Sequence, residues 1–474
     1  MQLRLVSELS AISVLCSTLF LTACGGGSSG SGGGTPTPTP TPSKANEWTW
    51  MGGSSTVGAK GGRSGVYGTL GVASASNVPG GRVSAVSWTD SSGNFWLYGG
   101  LGYDSTGTEG ALNDLWELNP TNKEWTWVSG SDTAGASGVY GTLSVASSSN
   151  FPGARFSTVS WTDSLGNLWL FGGLGAVGDY ALNDLWEYSP TTKMWTWVSG
   201  SNTPSAVGVY GTLGVASANN VPGARGNAVS WIDTSGNLWL FGGNTNSAAG
   251  QLNDLWEFTP TTKEWTWVSG SNSGNASGVY GTLGVPSANN VPGARVGAVS
   301  WTDRSGNFWL FGGSGIDSTE DASLFNDLWE FAPATKEWTW VSGGTTGLTA
   351  GNPGGRTGAV SWTDSGGNLW LFGGDGYSSE TGNLGELNDL WEFDPTSKEW
   401  TWVSGGNTPS AVGVYGTQGM YGTQGVASAS NAPGDRTVAV SWTDSSGDLW
   451  LFGGQGFDST GANGDLNDLW RYQP

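Results

Sequence analysis

Residues 238–243 read Leu-Trp-Leu-Phe-Gly-Gly, and residues 252–258 read Leu-Asn-Asp-Leu-Trp-Glu-Phe. The pair of segments recurs six times, with its Asn-Asp-Leu-Trp motif beginning at Asn113, Asn183, Asn253, Asn326, Asn388 and Asn467. An apolar-alternating run precedes the pair, as at 225–231, and another follows it, as at 264–268. Recurrence at such an interval indicates a repeat architecture. Four short strands per repeat predict the blades of a β-propeller.

The order of these segments resembles the kelch repeat, in which a Gly-Gly pair closes the second strand before a polar loop, an aromatic third strand and a Trp-bearing fourth. The resemblance extends from about Glu47 to the end of the chain. Successive Asn-Asp-Leu-Trp motifs lie 62 to 79 residues apart, whereas an ordinary kelch repeat has roughly 50 residues, so insertions must account for the excess. The resemblance implies an all-β, six-bladed kelch-type propeller over residues 47–474.

The two ends of the repeat region complement each other. Residues 47–53 contain a fourth-strand sequence, Glu-Trp-Thr-Trp, without three strands before it, whereas residues 436–472 supply three strands without a fourth. We therefore expect the N-terminal strand to pair with the C-terminal three. This pairing would close the ring and remove the exposed edges of an open sheet.

The composition is that of a turn-rich all-β protein. The 82 Gly and the 12 % of charged residues are typical of low complexity, but the 30 Trp contradict disorder, because a disordered chain lacks apolar surface to bury. Every Trp falls on a repeat position, six each in the first three strands and twelve in the fourth. Packing between neighbouring blades therefore explains the Trp set better than sugar stacking or ammonium binding.

Charge and composition exclude several functions. The net charge of -21 argues against nucleic acid and anionic membrane surfaces as partners, since both require a Lys/Arg footprint. Histidine is absent, and the two cysteines, Cys16 and Cys24, precede the repeats, so the propeller has no disulfide, thiol nucleophile or Cys/His zinc site. Galactose oxidase has related blades, but that family's copper needs two His and a Tyr-Cys cofactor. We predict no cofactor, with Ca²⁺ on oxygen ligands as the alternative.

The N-terminal region predicts export and lipid anchoring. Residues 1–23 have the form of a signal peptide, and Leu21 to Cys24 read Leu-Thr-Ala-Cys, which resembles a bacterial lipobox with Cys24 as the lipidated residue. An ordinary cleavage site before a cysteine is the alternative. Residues 24–46 form a Gly/Ser and Thr-Pro tether, although a Pro-rich recognition motif could have the same composition. We expect a protein anchored in the bacterial cell envelope, at the outer membrane or cell surface, that contacts membrane only through its lipid.

Two connections in each repeat have a constant length and two vary. First- and second-strand Trp lie 8 residues apart in all six repeats, and third- and fourth-strand Trp lie 9 apart in the five repeats that contain both. The connections from second to third strand, and from fourth strand to the next repeat, vary in length. Because strands alternate in direction, both variable connections emerge on one side, which we call the variable rim, where binding is usually placed. The longer one carries Gly-Val-Tyr-Gly-Thr at Gly65, Gly138, Gly208, Gly278 and Gly413. The fifth such connection lacks this motif, and the sixth adds a second copy at 421–423.

One arginine opens the first strand of each repeat and one aspartate opens the third. The two sets are Arg82, Arg155, Arg225, Arg295, Arg356 and Arg436, and Asp114, Asp184, Asp254, Asp327, Asp389 and Asp468. One interpretation is a ring of structural Arg–Asp pairs, because an unpaired buried charge is costly. The other is a central ring of arginines offered to an anionic ligand. The equal numbers favour pairing.

Residues that do not repeat are the candidates for ligand binding. The second-to-third-strand loops place carboxylates beside aromatic residues, and the candidates are Tyr103, Asp104, Tyr180, Asp317, Tyr377 and Asp458. Such groups suit hydrogen bonding and ring stacking with sugars, or Ca²⁺ coordination. Solvated loop residues are the alternative interpretation.

These patterns predict a monomeric envelope lipoprotein whose propeller binds a carbohydrate or protein ligand through the variable rim. The alternative is a carbohydrate-active enzyme such as a sialic acid mutarotase, since mutarotases of that family are also six-bladed kelch proteins. No local motif assigns their catalytic residues to positions in this sequence. A purely structural envelope protein is the third hypothesis.

Overall fold

The computed structural model describes residues 46–474 except 177, 179, 246–249, 317–321, 345–351, 380–381 and 407–416. Residues separate into two compact units, Met1–Pro42 and Ser43–Pro474, and the described residues all belong to the second. The predicted signal peptide, the lipidation residue Cys24 and the tether up to residue 45 lie outside the described residues. So does the candidate ligand residue Asp317.

Every regular element of the described residues is a β-strand, numbered here in chain order. The first strands of the repeats are β3 (Val86–Thr89), β8 (Val159–Thr162), β13 (Val229–Ile232), β18 (Val299–Thr302), β25 (Val360–Thr363) and β30 (Val440–Thr443). The second strands are β4 (Phe95–Tyr103), β9 (Leu168–Phe171), β14 (Leu238–Phe241), β19 (Phe308–Phe311), β26 (Leu369–Tyr377) and β31 (Leu449–Phe452). The third strands are β5 (Glu109–Asn119), β11 (Leu185–Ser189), β15 (Leu255–Thr259), β22 (Leu328–Ala332), β27 (Leu384–Asp394) and β34 (Leu469–Gln473). The fourth strands are β1 (Glu47–Gly52), β6 (Glu124–Ser129), β12 (Met194–Ser199), β16 (Glu264–Ser269), β23 (Glu337–Ser342) and β28 (Glu399–Ser404).

Shorter strands lie at the start of five of the six repeats and beyond some of the Gly-Gly pairs. They are β2 (Arg82–Val83), β7 (Arg155–Phe156), β10 (Leu174–Gly175), β17 (Arg295–Val296), β20 (Ser314–Ile316), β21 (Ala322–Leu324), β24 (Arg356–Thr357), β29 (Arg436–Thr437), β32 (Gln455–Phe457) and β33 (Asn463–Asp465). In two repeats the second and third strands run on through this region, which makes β4 with β5 and β26 with β27 long hairpins.

The main strands form small antiparallel sheets in which first, second, third and fourth strands are neighbours in that order. In the sheet formed by β30, β31 and β34, the N-terminal strand β1 takes the fourth place. β1 pairs with β34 in the register Trp48 with Tyr472 and Trp50 with Trp470. An all-β chain of small antiparallel sheets is consistent with a β-propeller, as the sequence predicts.

The local sequence explains these sheets. First strands read Val-Ser-Trp-Thr and alternate between buried and half-buried positions, as expected for period-two alternation. The second strand ends at a Gly-Gly pair that interrupts the pairing register, and Gly99 and Gly100 have φ of 64° and 98°. A Cβ atom at Gly99 would lie 2.7 Å from the Arg155 carbonyl oxygen of the neighbouring sheet. Glycine is therefore required for both backbone conformation and close approach.

The hydrophobic core lies between neighbouring sheets. One cluster joins Trp231 and Trp239 of one sheet to Phe308, Trp329 and Trp338 of the next. The rings of Trp231 and Phe308 stack with centroids 5.3 Å apart and an interplanar angle of 7°. Similar clusters recur along the chain, and one of them joins β4 and β5 of the first complete repeat to β30 and β31 of the last.

Three sets of hydrogen bonds link successive sheets, and each set returns to its starting point. Serine hydroxyls donate to serine carbonyls over 3.0 to 3.3 Å, from Ser87 to Ser441, Ser361, Ser300, Ser230, Ser160 and back to Ser87. First-strand Trp side chains donate Nε1–H to second-strand Trp carbonyls of the next sheet over 2.9 to 3.2 Å, the last being Trp442 to Trp96. Backbone amides form the third set, through Ser84, Val438, Gly358, Gly297, Asn227 and Ser157.

Candidate functional site

The six arginines and six aspartates that recur in the sequence form buried ion pairs. Arg225 donates from Nη1 to Asp254 Oδ1 over 2.6 Å and from Nη2 to Asp254 Oδ2 over 2.7 Å. Its remaining donors reach the carbonyl oxygens of Gly223 and Gly242. The other five repeats reproduce the pair, with Arg side chains about 1 % exposed and Asp side chains fully buried. A ligand has no access to these guanidinium groups, so the pairs are structural and the ring of free arginines is not formed.

Burial and charge act in opposite directions on these pairs. Burial alone would lower the pKa of Arg155, but the Asp184 carboxylate holds it above its ordinary value. Burial alone would likewise raise the pKa of Asp184, whereas Arg155 and the hydrogen bonds from Tyr140 and Trp186 lower it. Both partners therefore remain charged over the physiological range.

A tyrosine completes this arrangement in five repeats. Tyr210, from the Gly-Val-Tyr-Gly-Thr motif, donates its hydroxyl to Asp254 Oδ2 over 2.7 Å, and its ring packs on Trp256 and Trp267. The equivalent tyrosines are Tyr67, Tyr140, Tyr280 and Tyr421. Sequence reasoning noted the motif but missed this role. The number of tyrosines relative to aspartates was the available signal, since only the repeat of Asp389 has none in its preceding connection.

Two of the predicted ligand residues hold their own loops. Asp104 is 2 % exposed, and its Oδ1 accepts from the amides of Thr106 and Thr108 and the Thr106 hydroxyl, while Oδ2 accepts from the Ala134 amide. Asp458 is 1 % exposed and has an equivalent set of bonds: its Oδ1 accepts from Thr460 and Ala462 of its own loop, and its Oδ2 accepts from the Val57 amide. Burial would raise the pKa of both carboxyls, but these hydrogen bonds lower it overall. Both carboxylates are buried and bonded within the chain, and their contact with a ligand stays a prediction.

The other candidates are dispersed among different loops. Tyr103 is 5 % exposed and donates its hydroxyl to the Lys60 carbonyl oxygen over 2.6 Å. Tyr180 is exposed, whereas Tyr377 is half-buried at the end of β26. Within the described residues, no hydrogen bond or ring contact joins Tyr180, Tyr377 and Asp458. The five candidates that the structure describes are therefore not brought together by direct bonds, and Asp317 lies outside the described residues.

Positions that do vary in a systematic way lie immediately after each Gly-Gly pair. The residue after Gly-Gly pairs across the strand with a residue that precedes Asn-Asp-Leu-Trp, and we call these the rim pairs. They are Leu101 with Ala111, Leu174 with Ala181, Asn244 with Gln251, Ser314 with Leu324, Asp375 with Glu386, and Gln455 with Asp465. The backbone register is the same in all six, but the chemistry changes from apolar through neutral polar to acidic.

The acidic rim pairs contain carboxyl groups with shifted pKa. Burial, assisted by the negative charge of Asp375, raises the pKa of Glu386 to about 7. Burial and the charge of Glu109 raise the pKa of Asp465 to about 7. Asn463 donates from Nδ2 to Glu386 Oε2 over 3.0 Å and so connects β33 to β27. Perturbed carboxyls of this kind are frequent at functional sites.

Asp435 adds a third such group beside Arg436. Its side chain is 2 % exposed, and burial raises its pKa to about 7 although the Thr417 amide donates to Oδ2 over 2.7 Å. Among the described residues, Asp435 Oδ1 has no hydrogen-bond partner. A proton on this carboxyl near neutral pH avoids a buried, incompletely solvated charge.

Two cavities are lined by other residues. A central cavity of about 380 Å³ is lined by the Ser-Trp-Thr residues of the first strands. It contains hydroxyls and indoles but no ionisable side chain, so acid–base chemistry has no group there. A groove of about 840 Å³ beside β1 and β6 contains Lys60, Arg63 and Lys123. Lys60 Nζ and Arg63 Nε already donate to the carbonyl oxygens of Gly107 and Thr56.

Within the described ranges, no group of three or more His, Cys, Asp or Glu side chains is placed to hold a metal ion. The same residues include no helix of the length and apolarity needed to cross a membrane. No protein-family model matches the chain, and no curated protein sequence matches it. The kelch resemblance therefore remains a prediction from the repeat motif, and the all-β fold is what the structure establishes.

Proposed function

We propose that residues 47–474 form a closed, six-bladed kelch-type β-propeller. Support comes from the pairing of β1 with β34 and from the three sets of hydrogen bonds that return to their starting residue after six sheets. Deletion of residues 46–52 would expose an edge of the last sheet. We expect a lower melting temperature or aggregation, and an unchanged melting curve would refute closure.

We propose further that the propeller is a binding scaffold whose ligand contacts the variable rim. The observation that carries this proposal is the set of rim pairs: one backbone register is kept in six places while the side chains change in polarity and charge. A purely structural role would not explain why side-chain chemistry varies at these positions while the backbone register is kept. Binding residues are commonly placed on loops that a rigid scaffold positions.

The ligand class follows from charge. Asp375 and Glu386 occupy opposite positions of one rim pair and Asp465 belongs to the next, and carboxyl groups accept hydrogen bonds from sugar hydroxyls and from cationic side chains. The net charge of -21 disfavours anionic polymers. We therefore propose a neutral or amino-bearing glycan, or a basic protein surface, as the ligand.

An array of glycans, envelope polymers and basic proteins, probed with residues 46–474, would test the proposal. Glu386→Gln combined with Asp375→Asn should weaken binding of the captured ligand by about tenfold or more, equivalent to about 1.4 kcal/mol. Thr262→Ala is the matched control, because Thr262 is exposed in a constant-length hairpin on the other side. Binding that survives the rim substitutions but is lost with the control would place the ligand on the opposite side.

The alternative function, a mutarotase-like carbohydrate enzyme, is favoured by one observation. Glu386 and Asp465 have pKa values near 7, as suits a general acid or base at neutral pH. Exchange between the anomers of sialic acid, followed by NMR, would distinguish the two functions. Acceleration of the exchange that disappears in Glu386→Gln supports the enzyme, and exchange at the uncatalysed rate supports the scaffold.

We also propose that the chain is exported and lipid-anchored through Cys24, on the basis of the Leu-Thr-Ala-Cys sequence. Cys24→Ser should abolish partition of the protein into the detergent phase. If the unaltered protein already remains in the aqueous phase, the anchor is absent.

A further inference from the structure

The fourth strands are the terminal strands of their sheets, and in five of the six the described residues cover the free edge. In each case the covering segment belongs to the long connection that carries the Gly-Val-Tyr-Gly-Thr motif or its second copy. On β6, the Gly71 amide donates to the Trp127 carbonyl oxygen over 2.7 Å, and the Ser74 amide donates to Trp125. Asn77 Nδ2 donates to the same Trp125 oxygen over 2.9 Å. These bonds add a short strand-like segment to the sheet edge.

The same three bonds recur on the other covered edges. The Gly214 amide donates to Trp267, and Ser217 and Asn220 donate to Trp265 of β16. Equivalent bonds cover β12, β23 and β1. The tyrosine of each covering segment packs against the second Trp of the strand, with ring centroids 5.1 to 5.4 Å apart.

The edge of β28 differs. The connection that would cover it, residues 343–355, lacks the motif and is shorter than its counterpart at residues 130–154. Among the described residues, none donates a hydrogen bond to the carbonyl oxygens of Trp400 or Trp402. Trp402 is 47 % exposed, whereas its five counterparts are half-buried. Those five indoles donate to a carbonyl oxygen two residues later, and Trp402 has no such bond within the described part.

We propose that the β28 edge binds an extended peptide segment of another protein, which adds a strand there as the chain's own segments do elsewhere. Five covered edges define the chemistry of the partner: small residues that allow close backbone approach, a tyrosine that packs on Trp402, and a side-chain amide that donates to Trp400. An exposed sheet edge is the receptor in β-strand addition, where main-chain hydrogen bonds supply affinity and side chains supply specificity. Native proteins otherwise protect such edges from pairing.

The chain supplies its own probe, a 15-residue synthetic peptide with the sequence of residues 208–222, Gly-Val-Tyr-Gly-Thr-Leu-Gly-Val-Ala-Ser-Ala-Asn-Asn-Val-Pro. We expect it to bind residues 46–474 in a titration followed by calorimetry, and to slow hydrogen exchange of residues 399–404. Replacing the peptide tyrosine with alanine, or introducing Trp402→Ala, should raise Kd by about tenfold or more. Trp197→Ala is the matched control, because Trp197 is already covered by Tyr140.

Several outcomes would overturn the proposal. They are no binding at millimolar peptide, equal binding by Trp402→Ala, or protection that appears on a strand other than β28. Binding seen only after deletion of residues 407–416 would assign the edge to the chain's own motif that begins at Gly413. A dimer that becomes monomeric with Trp402→Ala would assign it to a second copy of this chain. If Trp402→Ala fails to fold, the exchange measurement on the unaltered protein decides the question.

Discussion

Asp254→Asn should be among the most destabilising single substitutions in this chain. Asp254 accepts four hydrogen bonds, two from Arg225 over 2.6 and 2.7 Å and one each from Tyr210 and Trp256 over 2.7 Å. The amide removes the negative charge and directs two N–H donors at groups that are themselves donors. Arg225 then remains buried without a counter-charge.

The magnitude follows from the separate losses. Removing one partner of a buried ion pair costs about 3–5 kcal/mol, whereas replacing the whole pair by apolar residues of similar volume is often neutral. Arg225→Met combined with Asp254→Leu should therefore be less destabilising than Asp254→Asn alone. Tyr210→Phe removes only the hydroxyl donated to a charged group, which is worth about 1.5–3 kcal/mol.

Urea unfolding followed by tryptophan fluorescence would measure these differences through the midpoint concentration. The fifth repeat offers a natural comparison, because Asp389 is bonded to Arg356 and Trp391 but receives no tyrosine hydroxyl from the described residues. The reasoning about buried charge is refuted if the free energy of unfolding of Asp254→Asn lies within about 1 kcal/mol of that of the unaltered protein. It is also refuted if the double substitution lowers that free energy more than Asp254→Asn does.

Three further predictions concern pH, loop capping and backbone strain. Glu386 and Asp465 have folded-state pKa values of about 7, above their unfolded values of about 4, so the folded state binds more protons and its stability falls as pH rises from about 4 to 7. Glu386→Gln should therefore raise the melting temperature at pH 8 and leave it nearly unchanged at pH 4. A rise of equal size at both pH values would exclude this cause. Asp104→Ala should lower the free energy of unfolding by about 1–3 kcal/mol, because it leaves loop amides without an acceptor. A difference below about 0.5 kcal/mol in urea unfolding would show that Asp104 behaves as a solvated loop residue. Val438 has a φ of 50°, which is unfavourable for a β-branched residue by about 1–2 kcal/mol. Asparagine occupies the equivalent position 227 with a φ of 56°, so Val438→Asn should raise the melting temperature. A lower melting temperature would contradict this prediction.

The strands were predictable because their side chains alternate with period two and their ends are marked by Gly-Gly and tight turns. Arg–Asp pairing was predictable from equal numbers and from the cost of an unpaired buried charge. Asp104 and Asp458 were not recognised as loop caps, because a loop carboxylate looks alike whether it binds solvent or its own backbone. A signal was present: both begin the sequence Asp-Ser-Thr-Gly, and Asp is a frequent first residue of such turns.

The edge of β28, which no described residue covers, was predictable from the sequence only in part. The sequence shows that the fifth connection lacks the motif. It does not show that β28 therefore lacks a covering segment, because periodicity does not reveal that a connection with the motif covers the terminal strand of the following sheet. Only the bonds between Ser74 and Trp125, or Ser217 and Trp265, show this pairing. Similarly, the acidic rim pairs needed the register of β26 with β27, since Asp375 and Glu386 are separated by a loop and meet only across the strands.

The distribution of charge joins these observations. Of 38 acidic and 17 basic residues, the ion pairs withdraw six of each into the interior, which leaves 32 acidic and 11 basic residues elsewhere in the chain. The repeat therefore uses its arginines in buried ion pairs and leaves an excess of acidic residues elsewhere. Under the binding function proposed above, selection among partners by charge falls to the rim carboxyls rather than to any basic group. Since the rim pairs vary while the Arg–Asp pairs beneath them do not, side chains can change at the rim without loss of the buried pairs. Binding specificity can thus diverge at a small cost in folding stability, which is the physical reason to place the ligand at the rim rather than in the uncharged central cavity.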